Sequence, residues 1–423
     1  MASWLISISV FIVFFSLLTL SICKYKRLVS DLFDPIFTYI LFLIVFFLNN
    51  SLFFDFPFSN WTGVVIFVGS VFYIIGCCLK FKRLNSYELN LVRRNDKLVM
   101  LIMISTLFIS IFILLVKLSF YGVTLNSYLS NMLAFHAKNI KSGGYFWDVF
   151  QKLNFFLLLF FMFIFLNQKP SYSRFFQCLV ILILYNIFNL SHSRWDYIQV
   201  IIYLLIIWMV IVNKAPMVKS YWLLGIPLIP SIMIALNILR HGRVIDDDFN
   251  VLEATVQSLK GDSGPGYYLD RFVDYFISTD AYNHGIFVIY QAFALVPRVV
   301  WTDKPVVSSL IYYTFEIMGE NPFIDGSTFT YTVFDFFGIY HFYSLAIGML
   351  LFGMLSRYLY NSIYISKSVS FKVFCIIFFG NYINTLRGSF VDQIALLEVD
   401  VIILFLFYYF VEKPFFKKKI NVE

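Results

Sequence analysis

Residues 98–119 read LVMLIMISTLFISIFILLVKLS, with Lys117 the only charge in the run. As an α-helix this stretch is about 33 Å long, enough to cross a hydrocarbon core of ~30 Å. Its reading decides the fold class, because comparable runs recur on both sides of it. They lie at 3–23, 35–54, 62–80, 149–167, 175–191, 197–213, 221–238, 333–356, 371–387 and 393–411. The chain is 60% hydrophobic and 13% charged, about half the charge content of soluble domains, so a globular protein is excluded. No alternating strand pattern with regular turns appears, which argues against an outer-membrane barrel. The sequence therefore predicts an all-α polytopic integral membrane protein of about eleven (ten to twelve) transmembrane helices embedded in the lipid bilayer.

Charge placement predicts the orientation. Lys24, Lys26 and Arg27 follow the first span and no basic residue precedes it, the reverse of a cleaved signal peptide. Further basic loops hold Lys80, Lys82, Arg83, Arg93, Arg94 and Lys97, then Lys169 and Arg174, then Lys214 and Lys219. Arg357, Lys367 and Lys372 follow, and Lys413, Lys417, Lys418 and Lys419 close the chain. Twenty of the thirty-two basic residues fall in these short loops, which the positive-inside rule assigns to the cytoplasm. The formal net charge of +7 is thus a topological signal, and no nucleic-acid partner is expected. The N-terminus is expected outside, which is the periplasm for a bacterial inner membrane, and the C-terminus in the cytoplasm.

Four regions follow. Residues 1–238 form an N-terminal transmembrane bundle of about eight spans, and 239–332 form a large periplasmic loop with an interfacial helix at 285–297. Residues 333–411 carry the C-terminal transmembrane helices, and 412–423 a basic cytoplasmic tail. Cys23, Cys77, Cys78, Cys178 and Cys375 lie in or at the ends of apolar runs, a pattern of helix packing rather than of a disulfide framework. No His, Asp or Glu spacing resembles a metal site, so neither a metal nor another cofactor is expected.

The large loop is where chemistry is expected. It has six basic and twelve acidic residues, so a diffuse anion-attracting surface is excluded and any anion site must be local. Arg240-His241-Gly242-Arg243 stands at the outer end of the eighth span, and Arg298 follows an uncharged stretch from Gly285 to Pro297. Guanidinium groups at headgroup depth suit a lipid diphosphate, since they present forked donors and keep their charge. Snorkelling or pairing with nearby acids is the competing account. Between Pro297 and Pro305, two stiff ends enclose Trp301, a side chain suited to an interface or to stacking on a sugar, and the polar Asp303-Lys304. No nucleotide-binding loop is present and the outer face has no ATP, so a reaction there needs a substrate activated beforehand. Glu398 and Asp400 lie within the last span, where carboxylates are costly; pairing with Arg387 or Arg194 is one structural role for them.

The text from Phe293 to Pro305 (FALVPRVVWTDKP), followed by Gly326-Ser327-Thr328 and a span containing Gly338, resembles the bacterial oligosaccharide repeat-unit polymerases, the Wzy-type O-antigen or capsule polymerases. The span number and the single large outer loop in the C-terminal half are similar to that family. An odd span count departs from members with both ends in the cytoplasm. The resemblance implies a GT-C-like, metal-independent glycosyltransferase acting on an undecaprenyl-diphosphate-linked oligosaccharide, with a chain-length regulator protein as a candidate partner. It implies diphosphate binding by Arg298 with Arg240 or Arg243, joined by Arg271 and Arg387. Candidate bases for the acceptor hydroxyl are Asp280, His284, His241 and Asp246, with no choice among them. Tyr267, Tyr268, Tyr282 and Trp301 are expected to stack on sugars. A lipid-linked oligosaccharide flippase is disfavoured by spans nearly free of mid-depth charge. An O-antigen ligase, which shares the chemistry, stays open.

Overall fold

The computed structural model describes residues 33–43, 60–79, 95–120, 145–189, 194–212, 266–279, 285–293 and 331–417, with positions 19, 122, 124, 296, 300, 301, 317 and 319. Every element among them is helical. In chain order they are α1 (residues 35–43), α2 (Asn60–Leu79), α3 (Asp96–Phe120), α4 (Tyr145–Gln168), α5 (Tyr172–Phe188) and α6 (Arg194–Val212). Then come α7 (Gly266–Thr279), α8 (Gly285–Ala292), α9 (Thr332–Ile365), α10 (Val369–Arg387) and α11 (Phe390–Phe407). A π-helical turn, Tyr408–Glu412, and a last helix, α12 (Lys413–Lys417), complete the order. Five of these helices are long and apolar enough to cross a membrane, and α5 and α6 supply shorter apolar ones. The chain is a helical membrane protein. The expected spans at 3–23 and 221–238 lie outside the described residues, position 19 apart, and 35–54 is described to residue 43.

The described residues fall into two compact units. The first draws on Met1–Arg83, Asn250–Asn361 and Asn381–Glu398. Here α2 and α9 pack backbone against backbone. A β-carbon at Gly76 would collide with the Leu350 carbonyl, and one at Gly353 with the Tyr73 carbonyl. Small residues permit such an approach between membrane helices. Cys77 Sγ donates to Gly353 O at 3.3 Å, so Cys77 serves packing, as its apolar surroundings predict.

One end of this unit is locked by a buried ion pair. Arg357 donates from Nη1 and Nη2 to the two Asp34 oxygens at 2.8 and 3.1 Å, and from Nε to Cys77 O at 3.2 Å. Asp34 also accepts from Ile36 N at 3.0 Å and so caps α1. Arg357 is 1% exposed and Asp34 0%. The sequence reading places Arg357 in a solvated basic loop, and the structure corrects that: it belongs to α9 and holds three helix ends together. Those ends precede α1, close α2 and lie late in α9, and all three face the same side in the expected topology.

The second unit draws on Leu84–Phe249, Ser362–Gly380 and Val399–Glu423. Its centre is α4, buried without interruption from Leu158 to Leu166. A helix apolar on every side belongs inside a bundle. Asn154 Nδ2 donates to Thr106 O at 2.9 Å and Tyr185 Oη to Gln151 O at 3.1 Å, joining α4 to α3 and α5. Lys372 is a further correction to the basic-loop reading. It is buried, and its ammonium caps the end of α9 through Ile363 O and, at 3.1 Å, Tyr364 O. Across the same turn the Glu412 carboxylate accepts from Ser368 Oγ, Val369 N and Ser370 N at 2.9, 2.9 and 2.8 Å. A carboxylate there satisfies the unpaired amides that begin α10.

Candidate functional site

Helix α9 is not one rod. Tyr340 (φ −160°, ψ 58°) and His341 (φ 57°, ψ −144°) break it, and His341 takes a left-handed backbone that a β-carbon disfavours. The chain reverses there. A β-carbon on Gly69 would stand 2.8 Å from Val333 Cγ1 and 3.2 Å from Leu345 Cδ1. In an unbroken helix those two residues would be about 18 Å apart. The Phe336 ring likewise lies against Gly348. Residues 332–339 therefore form a short helix folded back on the longer one that begins at Phe342.

A side chain mends the break. In a continuous helix Tyr340 N would donate to Phe336 O. Instead Tyr340 N donates to Ser344 Oγ at 2.6 Å, and Ser344 Oγ donates to Phe336 O at 2.6 Å. The hydroxyl is inserted into the missing bond, one of the ways a broken membrane helix keeps its polar backbone satisfied. His341 packs its ring on Phe337 and Phe342 at 4.9 and 5.0 Å.

The short helix is tied at its base to the turn between α10 and α11. Thr332 Oγ1 donates to Thr385 O at 2.6 Å, and Asp335 Oδ2 accepts from Val391 N at 3.4 Å. Asp335 is wholly buried. That turn carries Arg387, the last residue of α10. On the same unit α7 buries Leu269, Phe272, Val273 and Phe276. The Phe272 ring meets Phe334 at 6.0 Å, and Thr62 Oγ1 donates to Asp270 Oδ1 near the start of α2. Trp61, next to Thr62, reaches Phe342 at 6.4 Å. Helix α7, the helix break and the Arg387 turn thus share one end of the unit, away from the Asp34–Arg357 pair.

The expected site residues distribute unevenly over this frame. Arg271 lies on the exposed face of α7, opposite its apolar stripe. Tyr267 and Tyr268 are in the first turn of that helix. Trp301 is half-buried and meets Tyr290 at 6.1 Å, edge to face. Helix α8 ends at Ala292, earlier than the expected 285–297. Arg240, His241, Arg243, Asp246, Asp280, Tyr282, His284 and Arg298 lie outside the described residues. Protein-family models, curated proteins and solved structures were all searched, and none matches the chain.

Two features escape the sequence reading. Asp335 is a lone carboxylate inside an apolar span, the pattern that singles out Glu398 and Asp400, and it is the more deeply buried. The amphipathic α7 is hidden by reading its segment for charges; the apolar positions 269, 272, 273 and 276 carry a helical period. Asp400 also finds a partner other than Arg387 or Arg194. Within the second unit it accepts from Lys152 Nζ at 3.1 Å.

Proposed function

We propose that this chain is a GT-C-like glycosyltransferase of the bacterial inner membrane, polymerising undecaprenyl-diphosphate-linked oligosaccharide repeat units at the periplasmic face for O-antigen or capsular polysaccharide. The observation that carries the reading is the meeting, at one end of the first unit, of the docked loop helix α7, the broken helix at Tyr340–His341 and the Arg387 turn. Irregular backbone at membrane depth is kept where it is enclosed by protein or lines a cavity. A reaction on a lipid-anchored substrate needs such a place near the headgroups.

In this reading the bond between the anomeric carbon of the growing chain and its lipid diphosphate breaks. A hydroxyl of the incoming lipid-linked repeat unit forms the new glycosidic bond. The diphosphate departs with the bonding electrons, so the main task is to stabilise its charge. Arg298 with Arg240 or Arg243 takes that task, supported by Arg271 and Arg387. The acceptor proton goes to one of Asp280, His284, His241 or Asp246. Tyr267, Tyr268, Tyr282 and Trp301 offer sugar-stacking faces. Asp335 is a positioning residue: through Val391 N it steadies the turn that presents Arg387.

Deletion of the gene followed by gel analysis of surface polysaccharide tests the reading. Product capped with a single repeat unit is expected, whereas loss of all capped material would point to a flippase or ligase. Arg298→Lys, which keeps the charge but removes the fork, is expected to collapse the ladder while the protein still inserts. A wild-type ladder from an inserted variant would remove Arg298 from the diphosphate role.

A further inference from the structure

At one end of the second unit an open groove of about 610 Å³ runs between α3, α4 and α5, within the size range of small-molecule pockets. Its rim and its floor differ in chemistry. The rim carries Lys97, Lys169 and Ser173, all exposed. The floor descends along Met100, Leu101 and Ile104, two helical turns or about 10 Å below the rim. Leu101 is 59% exposed although it lies in a membrane-spanning helix.

Among the described residues no carboxylate pairs with the two lysines of the rim. Asp96 receives Arg174, whose other arm donates to Phe165 O at 2.7 Å, so those two charges answer each other. No ion pair holds the ammonium of Lys97 or Lys169 among the described residues. The N-terminal turn of α5, capped by Ser171, adds the partial positive charge of a helix start. The groove thus sets net positive charge over an apolar floor, on a helix long and apolar enough to cross a membrane. A free anion would use only the rim.

We propose that this groove holds an anionic phospholipid, its phosphodiester between Lys97, Lys169 and the first turn of α5, and the upper part of an acyl chain along Met100, Leu101 and Ile104. The site is separate from the oligosaccharide reading and stands or falls independently of it.

Native mass spectrometry of the full chain in neutral detergent, titrated with phosphatidylglycerol or phosphatidylcholine, tests the proposal. The wild type is expected to retain phosphatidylglycerol in preference. The exposed double substitution Lys97→Gln/Lys169→Gln is expected to weaken that binding by roughly tenfold or more, with the melting temperature in lipid-free detergent unchanged. Leu101→Trp, which obstructs the floor without altering charge, is expected to weaken it as well. Equal retention of the two lipids by the wild type overturns the proposal. So does undiminished phosphatidylglycerol binding by either variant, or competition by glycerol phosphate as effective as that of the intact lipid.

Discussion

The unit closed by Asp34 and Arg357 and the unit centred on α4 solve the same packing problem with different materials. The first joins its helices through a forked ion pair, main-chain contacts at Gly76 and Gly353, and a hydroxyl-mended break. The second joins them chiefly through side chains, with rings such as Phe156, Phe160 and Phe407 at 4.7–5.7 Å and a hydrogen bond from the Asn154 side-chain amide. Apolar side chains repack when one is altered, whereas directional bonds and touching backbones do not. Among the described residues, main-chain contact between helices and a broken helix belong to the unit that carries the candidate site. The α4 unit is the more tolerant frame.

Five substitutions break or sharpen that contrast. The largest effect is expected for Arg357→Met, which strands the Asp34 carboxylate inside the protein at a cost of about 3–5 kcal/mol. Thermal unfolding in detergent measures it, and Asp34→Asn combined with Arg357→Met should recover most of the loss. A single variant as stable as the wild type would erase the contrast. Next is Gly353→Ala, whose new methyl meets the Tyr73 carbonyl and should cost about 3 kcal/mol. Its counterpart in the second unit, Gly380→Ala, first meets the Tyr203 ring, a side chain rather than a main-chain oxygen, and should cost less, about 1–2 kcal/mol. Equal losses in the two melts would show both units to be equally rigid.

Ser344→Ala should cost about 1 kcal/mol, because Phe336 O and Tyr340 N lose the hydroxyl between them. Faster hydrogen exchange at the Tyr340 amide, with exchange in α4 unchanged, would localise the effect. The smallest change in stability, within about 0.5 kcal/mol, belongs to the exposed Arg271→Gln. Under the proposed function it nonetheless shortens the polysaccharide ladder. An unchanged ladder would confine Arg271 to the surface of α7.

Hydropathy locates the helices well, because a run such as 98–119 has no stable alternative in lipid. The described helices α2 to α6 and α10 lie over the expected spans at 62–80, 98–119, 149–167, 175–191, 197–213 and 371–387. What hydropathy averages away is polarity that points inward. Arg357 reads as the first charge beyond a span, yet the partner that lets it stay buried is 323 residues away. The break at Tyr340–His341 carries no proline, and its mending group is a serine four residues later, a spacing common in unbroken helices. Much of the expected site rests on residues named for their chemistry, such as Arg271 and Trp301. Their burial and neighbours depend on how α7 and α8 pack, which side-chain type alone does not encode.

The short helix at 332–339 also sets an order of assembly. Its two anchors, Thr385 O and Val391 N, lie 53 and 56 residues further along the chain. At ribosomal rates of about 5–20 residues per second, some seconds pass between synthesis of Asp335 and of its partner. During that interval the carboxylate lacks its hydrogen bond from Val391 N. The segment gains these two anchors only when α10 and α11 arrive. The hairpin of α10 and α11 is thus made after the segment it anchors beside the candidate site.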